Sequence, residues 1–249
     1  MPYAENEGVR IHYATEGTGP PLVLQHGFAS DLRSWDFYGY VSALAADFRL
    51  IRIDARGHGL SDKPHEPSAY ELHRRAADVF AVLDSLGIER AHYCGYSMGG
   101  WIGLGLAQLA PERILSLALG GVHPFPDPAW AAFDGIDGSD PTAFVVALES
   151  VVGERFPREA RARTVDNDLV ALAASTKARS APAEVLAELT MPCLFFCGER
   201  DVRLPLVKAA ADQVAGAMLA VIPRSGHVTA FVRSELVLPY LRDLLQAAD

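Results

Sequence analysis

The stretch Gly95-Tyr96-Ser97-Met98-Gly99 lies between an apolar run, Ala91 to Cys94, and a helix-like run, Gly100 to Leu109. Glycines on both sides of a serine suit a sharp turn from a strand into a helix, because side chains there would collide with neighbouring chain. Such a turn presents the serine at the carboxyl end of a buried strand, beside helix N–H groups that favour negative charge. The stretch predicts Ser97 as a nucleophile, and a tight turn with an incidental serine is the competing interpretation.

Further apolar runs on both sides of this turn predict a sheet. Polar and apolar residues alternate from Val9 to Thr15 after the turn-like Asn6-Glu7-Gly8, which predicts an N-terminal hairpin with one solvated face. Five runs suit strands that are buried on both faces, and a last strand follows them. The six are Leu22 to Gln25, Leu50 to Ile53, Ala91 to Cys94, Ile114 to Leu119, Cys193 to Cys197 and Met218 to Ile222.

Helical stretches separate these strands. From Tyr70 to Leu86 apolar residues recur at three- and four-residue steps, and a last helix is expected from about Val228 to Leu245. Repeated strand, helix, strand units make right-handed crossovers. The sequence therefore predicts an α/β fold with a mainly parallel, doubly wound sheet.

The interval 124–189 interrupts this alternation. It contains no strand candidate, but it has short helical stretches and a proline-rich opening, Pro124 to Pro128. We therefore expect one core formed by residues 1–123 and 190–249, with a helical cap, 124–189, inserted after the sixth strand. The apolar residues of the cap suit a roof over a substrate or ordinary helical packing.

A serine nucleophile needs a base, and the base needs an acid that holds its tautomer. Of the eight histidines, only His227 follows the last predicted strand, and Asp201 follows the strand Cys193 to Cys197. Carboxyl ends of parallel strands meet at one edge of a sheet. We therefore expect Ser97 as nucleophile, His227 as general base and Asp201 as its orienting acid.

Composition and charge limit the kinds of binding partner and the cellular compartment that we expect. The formal charge of −9 over 249 residues would repel nucleic acid and anionic membranes. No run approaches the roughly 18 apolar residues of a membrane span, and a cytoplasmic protein is expected. Cys94, Cys193 and Cys197 are predicted to be buried free thiols. No metal-binding motif is present, so we expect neither metal nor cofactor.

One long loop carries a family resemblance. Asp54-Ala55-Arg56-Gly57-His58-Gly59-Leu60-Ser61-Asp62 resembles the D-x-R-G-H-G-x-S-D loop of α/β-hydrolases. With the Ser, Asp, His chain order, the whole chain resembles that superfamily, in its compact esterase and lactonase branch with a helical cap. His26-Gly27-Phe28 is similar to the family's H-G-x loop, which implies an oxyanion hole formed by the backbone N–H groups of Phe28 and Met98. In the family the loop that holds His58 is structural, so His58 is not expected to be catalytic.

The chain also departs from some relatives. The strand Ile114 to Leu119 ends in Gly120-Gly121, which favours Asp201 over an acid at that strand; the nearby Asp127 is the rival. A serine in the elbow argues against epoxide hydrolases and haloalkane dehalogenases that act through a carboxylate nucleophile.

The resemblance implies a serine hydrolase that cleaves a small ester or lactone through an acyl-enzyme. Cleavage of carbon–carbon bonds in ring-cleavage acids, cofactor-free perhydrolysis and a receptor-like binding role remain open alternatives, as does the oligomeric state. Trp101, His123 and Trp130 are expected to neighbour the substrate pocket. Four arginines crowd the cap and suit either a carboxylate anchor or a solvated helix face; they are Arg155, Arg158, Arg161 and Arg163.

Overall fold

Eight strands form one sheet in the computed structural model, which describes residues 2–248. The strands are β1 (Tyr3–Asn6), β2 (Val9–Glu16), β3 (Pro21–Gln25), β4 (Arg49–Ile53), β5 (Ala91–Tyr96), β6 (Ile114–Gly120), β7 (Cys193–Gly198) and β8 (Met218–Ile222). Their order across the sheet is β1-β2-β4-β3-β5-β6-β7-β8. β1 and β2 are antiparallel to their neighbours, and β3 to β8 are parallel to one another. The predicted mainly parallel sheet is confirmed.

The N-terminal hairpin is also confirmed. β1 pairs with β2 from Tyr3 opposite His12 to Asn6 opposite Val9. The two turn residues, Glu7 and Gly8, have φ values of 51° and 77°, the positive values that a tight two-residue hairpin turn requires.

The chain reverses its direction of travel across the sheet between β3 and β5. β4 lies on one side of β3, and β5 lies on the other, with Gln25 opposite Gly95. Loops that leave parallel strands at such a switch point diverge and open a crevice. The loop after Gln25 and the turn at Ser97 therefore begin side by side.

Helices cover both faces of the sheet. The α-helices of the described residues are α1 (Arg33–Phe37), α2 (Tyr40–Leu44), α3 (Leu72–Ser85), α4 (Met98–Leu109), α5 (Pro141–Val152), α6 (Arg158–Val165), α7 (Leu169–Thr176), α8 (Leu204–Ala211), α9 (His227–Val232) and α10 (Ser234–Ala247). Apolar residues of α3, α4 and α8 pack in one core cluster. Those of α1, α2, α9 and α10 pack in another on the opposite face. The sheet is thus doubly wound, as predicted.

The single last helix predicted from Val228 to Leu245 is wrong. The chain forms α9 and α10 instead, separated at Arg233, whose ψ of 60° is not helical. Ser234 Oγ donates to the carbonyl of Tyr38, and Arg233 Nη1 donates to that of Pro223. These contacts with distant segments bend the chain, so that α9 carries His227 to the top of the sheet and α10 packs along its face.

The interval 124–189 has no strand in the described chain. It contains α5, α6 and α7 and two short 3₁₀ helices, Pro128–Phe133 and Ala183–Glu188. A third apolar cluster joins α5, α7 and the first 3₁₀ helix around Phe133, Phe144 and Leu172, and Phe28 of the loop after β3 packs against it. The absence of strands was predicted; the division of the chain into a core and a cap stays a prediction.

Cysteine burial and helix length bear on two further expectations. Cys94, Cys193 and Cys197 are buried and free, as predicted. Within residues 2–248, no helix has both the length and the apolar character that crossing a membrane requires.

Candidate active site

Ser97 lies in a strained turn between β5 and α4. Its φ of 53° and ψ of −110° are unusual for a residue with a side chain, and such conformations cost on the order of 1–3 kcal/mol. A Cβ at Gly95 would overlap the carbonyl of Gly99, and a Cβ at Gly99 would overlap that of Gln25. The two glycines are therefore required where β5, α4 and β3 meet.

Backbone hydrogen bonds hold this turn. The N–H of Ser97 donates to the carbonyl of Gly120 at 2.7 Å, and the Ser97 carbonyl accepts from the N–H of Trp101 at 2.9 Å. The neighbouring strand and the first turn of α4 thus fix the serine, whose hydroxyl faces the open top of the sheet.

The structure brings the three predicted side chains into one hydrogen-bonded chain. His227 Nε2 lies 3.0 Å from Ser97 Oγ, and His227 Nδ1 lies 2.7 Å from Asp201 Oδ2. Asp201 is in the loop after β7, and His227 is the first residue of α9. A carboxylate accepts only, so His227 carries its proton on Nδ1, and Nε2 can accept from the serine hydroxyl.

Asp201 is ionised in its buried position. Burial favours the neutral acid, but the hydrogen bond and charge of His227, together with the N–H and charge of Arg203, outweigh burial and lower the pKa of Asp201. The N–H of Arg203 donates to Asp201 Oδ1 at 3.0 Å. Each oxygen of the Asp201 carboxylate therefore accepts a hydrogen bond, and the two bonds fix its orientation.

Asp127, the other candidate for the acid that orients His227, has different partners. Its carboxylate lies 3.3 Å from Arg203 Nη2 and accepts from the N–H of Ala129 at 3.0 Å. His227 Nδ1 bonds to Asp201, so the geometry favours the acid after β7.

The end of β6 makes room for the imidazole. Gly121 has a φ of 59°, and a Cβ there would lie 2.9 Å from His227 Cε1. The hydroxyl of Tyr96 donates to the carbonyl of His227. The Gly120-Gly121 pair noted in the sequence thus leaves space that a larger residue would take from the histidine.

Two backbone N–H groups beside Ser97 have no acceptor within residues 2–248. They belong to Phe28 and Met98, the residues that the resemblance implies for an oxyanion hole. The next N–H along the loop, that of Ala29, donates to His58 Nε2 at 3.2 Å. A Cβ at Gly27 would lie 3.6 Å from Ser97 Cβ, so this loop runs directly past the nucleophile.

Two buried histidines brace that loop. His26 Nδ1 donates to the carbonyl of Gly27, and its Nε2 accepts from the N–H of Ala55. His58 Nδ1 donates to the carbonyl of Arg56. Burial lowers the pKa of both imidazoles, so they stay neutral and keep their acceptor nitrogens. These bonds agree with the predicted structural role of His58.

Ser97 opens into a cavity of about 1360 Å³ between the top of the sheet and the 124–189 segment. Trp101, His123 and Trp130 line this cavity, and their role as substrate neighbours stays a prediction. Sequence reasoning missed Arg179, which also lines the cavity. Nothing in the sequence around Arg179 marks it, because its position depends on contacts with distant tryptophans.

The four clustered arginines have different surroundings. Arg155 and Arg163 line the cavity. Arg161 makes two hydrogen bonds of 2.8 Å to the carboxylate of Glu149, and Arg158 is exposed on α6. The cluster is therefore not a single charged surface.

Comparisons with known proteins agree with this architecture. The enol-lactonase of Burkholderia xenovorans LB400 is 27% identical, with a TM-score of 0.86 over 98% of this chain and 100% of that one. A hydrolase from Pseudomonas aeruginosa PA01 is 28% identical, with a TM-score of 0.87 over 98% and 97%. Est816, an N-acyl homoserine lactone degrading enzyme, is 28% identical, with a TM-score of 0.80 over 97% and 99%. The sequence profile of the alpha/beta hydrolase fold matches residues 20–144. The chain belongs to the α/β-hydrolase family.

Proposed function

We propose that this protein is a serine hydrolase that cleaves a small carboxylic ester or lactone through an acyl-enzyme on Ser97. The observation that carries the proposal is the hydrogen-bonded chain from Ser97 Oγ through His227 to Asp201, at a strained strand-to-helix turn. A serine hydroxyl becomes an effective nucleophile when an oriented base takes its proton.

In the proposed reaction, Ser97 Oγ attacks the carbonyl carbon while its proton passes to His227 Nε2. His227 then gives that proton to the leaving alkoxide as the carbon–oxygen bond breaks. In a lactone the alkoxide stays attached to the acyl group. Water, deprotonated by His227, attacks the acyl-enzyme and releases the acid. Asp201 stays ionised throughout and stabilises the imidazolium.

The carbonyl oxygen gains negative charge in both steps. The N–H groups of Phe28 and Met98 are the proposed donors to it, because neither has an acceptor in the described chain. Donors of this kind contribute about 3 kcal/mol each to lowering the barrier. The bonds of His26 and His58 support this role, since they fix the loop that carries Phe28.

The 124–189 segment is the proposed cap of the substrate site. Phe125, Trp130 and Phe156 from this segment line the cavity opposite Ser97. Apolar walls with few polar groups are typical of small-molecule sites. An enol-lactonase and an N-acyl homoserine lactone degrading enzyme among the similar structures support lactones beside esters as substrates.

The proposal is tested by turnover and by labelling. Purified wild type should hydrolyse members of a panel of short esters and lactones, and a fluorophosphonate should label it. Ser97→Ala should lose about a millionfold in turnover and all label. Ser30→Ala, which removes another serine hydroxyl from the same cavity wall, is the matched control and should keep both.

Other outcomes would redirect the assignment. Labelling of Ser97 without turnover of any ester or lactone would favour a receptor-like role. Cleavage confined to ring-cleavage acids, or to peroxide-dependent chemistry, would favour the carbon–carbon hydrolase or perhydrolase alternative. Full activity in Ser97→Ala would overturn the mechanism.

A further inference from the structure

Arg179 lies in the loop between α7 and the 3₁₀ helix Ala183–Glu188, against two tryptophans. Its Cζ is 3.7 Å from the ring centroid of Trp130 and 5.1 Å from that of Trp101. Trp101 Nε1 donates to the carbonyl of the adjacent Ser180 at 3.0 Å. The guanidinium is therefore held in place by aromatic contacts on a fixed loop.

Arg179 differs from other enclosed arginines because it has no acceptor. Arg56 makes two hydrogen bonds of 2.6 Å to Asp78, and Arg203 pairs with Asp127 at 3.3 Å. Within residues 2–248, Arg179 has neither a hydrogen bond nor an ion pair, and its contacts are those with the indoles. Its N–H donors are thus available to a ligand.

Positive charge accumulates around this side chain. Burial, with the nearby charges of Arg75 and Arg203, outweighs the opposing charge of Asp127 and lowers the pKa of Arg179 to about 9, so it remains protonated at neutral pH. Arg75 is buried and bonds to the carbonyls of Tyr70 and Ser175, not to a carboxylate. A partly buried guanidinium that makes no hydrogen bond or ion pair is unfavourable, and an anionic ligand would compensate its charge.

Arg179 and Ser97 line the same cavity. Trp101 lies between them, because its backbone N–H donates to the Ser97 carbonyl while its indole ring contacts the guanidinium. A small molecule in this cavity can therefore present a carbonyl to Ser97 and an anionic group to Arg179.

We propose that Arg179 binds a free carboxylate of the substrate, so that the substrate class is an ester or lactone that also carries a carboxylate. The indoles contact the guanidinium and leave its in-plane N–H groups, which match a planar carboxylate with two parallel hydrogen bonds. This inference deepens the proposed hydrolase function and rests on it. It assigns to Arg179 the anchoring role that the sequence suggested for the arginine cluster of residues 155–163.

The kinetic test uses matched substrates. Each of three monoethyl esters, of glutarate, adipate and pimelate, is compared with its isosteric terminal amide, and the series varies the distance between the ester carbonyl and the carboxylate. Wild type should prefer at least one acid over its amide by roughly tenfold to a hundredfold in kcat/KM. Arg179→Gln should lose that preference, because its kcat/KM should fall much further on the acid than on the amide.

Two control variants distinguish the effect of the Arg179 charge from a general effect on the structure. Arg158→Gln removes an exposed arginine of α6 outside the cavity and should leave the preference unchanged. Arg179→Lys keeps the charge without the bidentate donors and should retain part of it. Circular dichroism of each variant checks the fold.

A binding measurement distinguishes failure of the anchor from failure of the proposed hydrolase. Calorimetry with glutarate, adipate and pimelate needs no turnover, and Arg179→Gln should bind the best of them at least tenfold more weakly than wild type. Weaker binding in that variant without turnover in any protein would keep the anchor and overturn the hydrolase. Equal acid and amide rates in wild type, or equal affinities in wild type and Arg179→Gln, would overturn the anchor.

Discussion

The two sides of the cavity are built differently. The floor consists of the loops after β5, β7 and β8, where Ser97, Asp201 and His227 are fixed by a strained backbone and short hydrogen bonds. The roof is the 124–189 segment, whose contribution to the cavity comes mainly from side chains on helices and loops, such as Trp130 and Arg179. This difference indicates that the proposed chemistry depends on backbone geometry, whereas the proposed selectivity depends on side chains that distant residues position.

Replacing one acid of the floor, and separately one acid of the roof, is the test with the largest expected effect on turnover. Asp201→Asn should keep the fold but lose about 10⁴-fold in kcat, because the amide favours the wrong imidazole tautomer. Asp127→Asn should lose less than about tenfold, since Asp127 contacts Arg203 rather than His227. Steady-state kinetics on one ester measures both, and the reverse order would move the acid to the roof.

Two Gly→Ala substitutions test whether the space beside the imidazole, rather than the stability of the fold, sets the turnover rate. Gly121 and Gly87 both have positive φ, so alanine at either should cost about 1 kcal/mol of unfolding free energy. A Cβ at Gly121 would lie 2.9 Å from His227 Cε1, whereas nothing lies within 4 Å of one at Gly87. Gly121→Ala should therefore lose about a hundredfold in kcat.

Gly87→Ala is the control and should keep wild-type kcat. Urea unfolding gives the stability of both variants, and steady-state kinetics gives their rates. If the two variants lost activity equally, the imidazole would not depend on the space beside Gly121.

The smallest expected effect is a loss of folding stability at acid pH, caused by the two buried histidines that brace the loop beside Ser97. Burial lowers the pKa of His26 and His58 below 6.5, the ordinary value expected in the unfolded chain. The unfolded state therefore binds more protons as the pH falls below about 6.5, and stability falls with it. Each histidine should contribute a slope of up to about 1.4 kcal/mol per pH unit, while above pH 7.5 neither contributes.

Urea unfolding between pH 5 and pH 7.5 measures this slope. His58→Gln should lower this slope by up to about 1.4 kcal/mol per pH unit, because one fewer buried imidazole takes up a proton on unfolding. Carboxylates with lowered pKa, such as Asp201, titrate below about pH 4 and lie outside this window. A slope unchanged in His58→Gln would mean that His58 is not held neutral.

The sequence predicted the floor better than the roof for a physical reason. Ser97, Asp201 and His227 each follow an apolar strand, and parallel strands bring their carboxyl ends together. The approximate bounds of the strands and the doubly wound sheet followed from the same apolar runs. The roles of the three residues stay proposals, but their proximity was predicted from strand ends alone.

The features that sequence reasoning missed depend on long-range contacts. The break at Arg233 has neither glycine nor proline, and it results from bonds to Pro223 and Tyr38 of other segments. Arg179 lies in a loop without a motif, and its partners Trp101 and Trp130 come from other elements. The four arginines between residues 155 and 163 were considered as an anchor because they are close in sequence, yet that spacing does not indicate which of them has a carboxylate partner.

The central claim, nucleophilic attack by Ser97, is tested most directly by trapping the covalent intermediate. Wild type mixed with an activated ester and quenched in acid within milliseconds to seconds should gain the mass of one acyl group. Peptide mapping should locate that mass on Ser97, and Ser97→Ala should gain none. An acyl group on another residue, or an acyl adduct and full turnover in Ser97→Ala, would contradict the account.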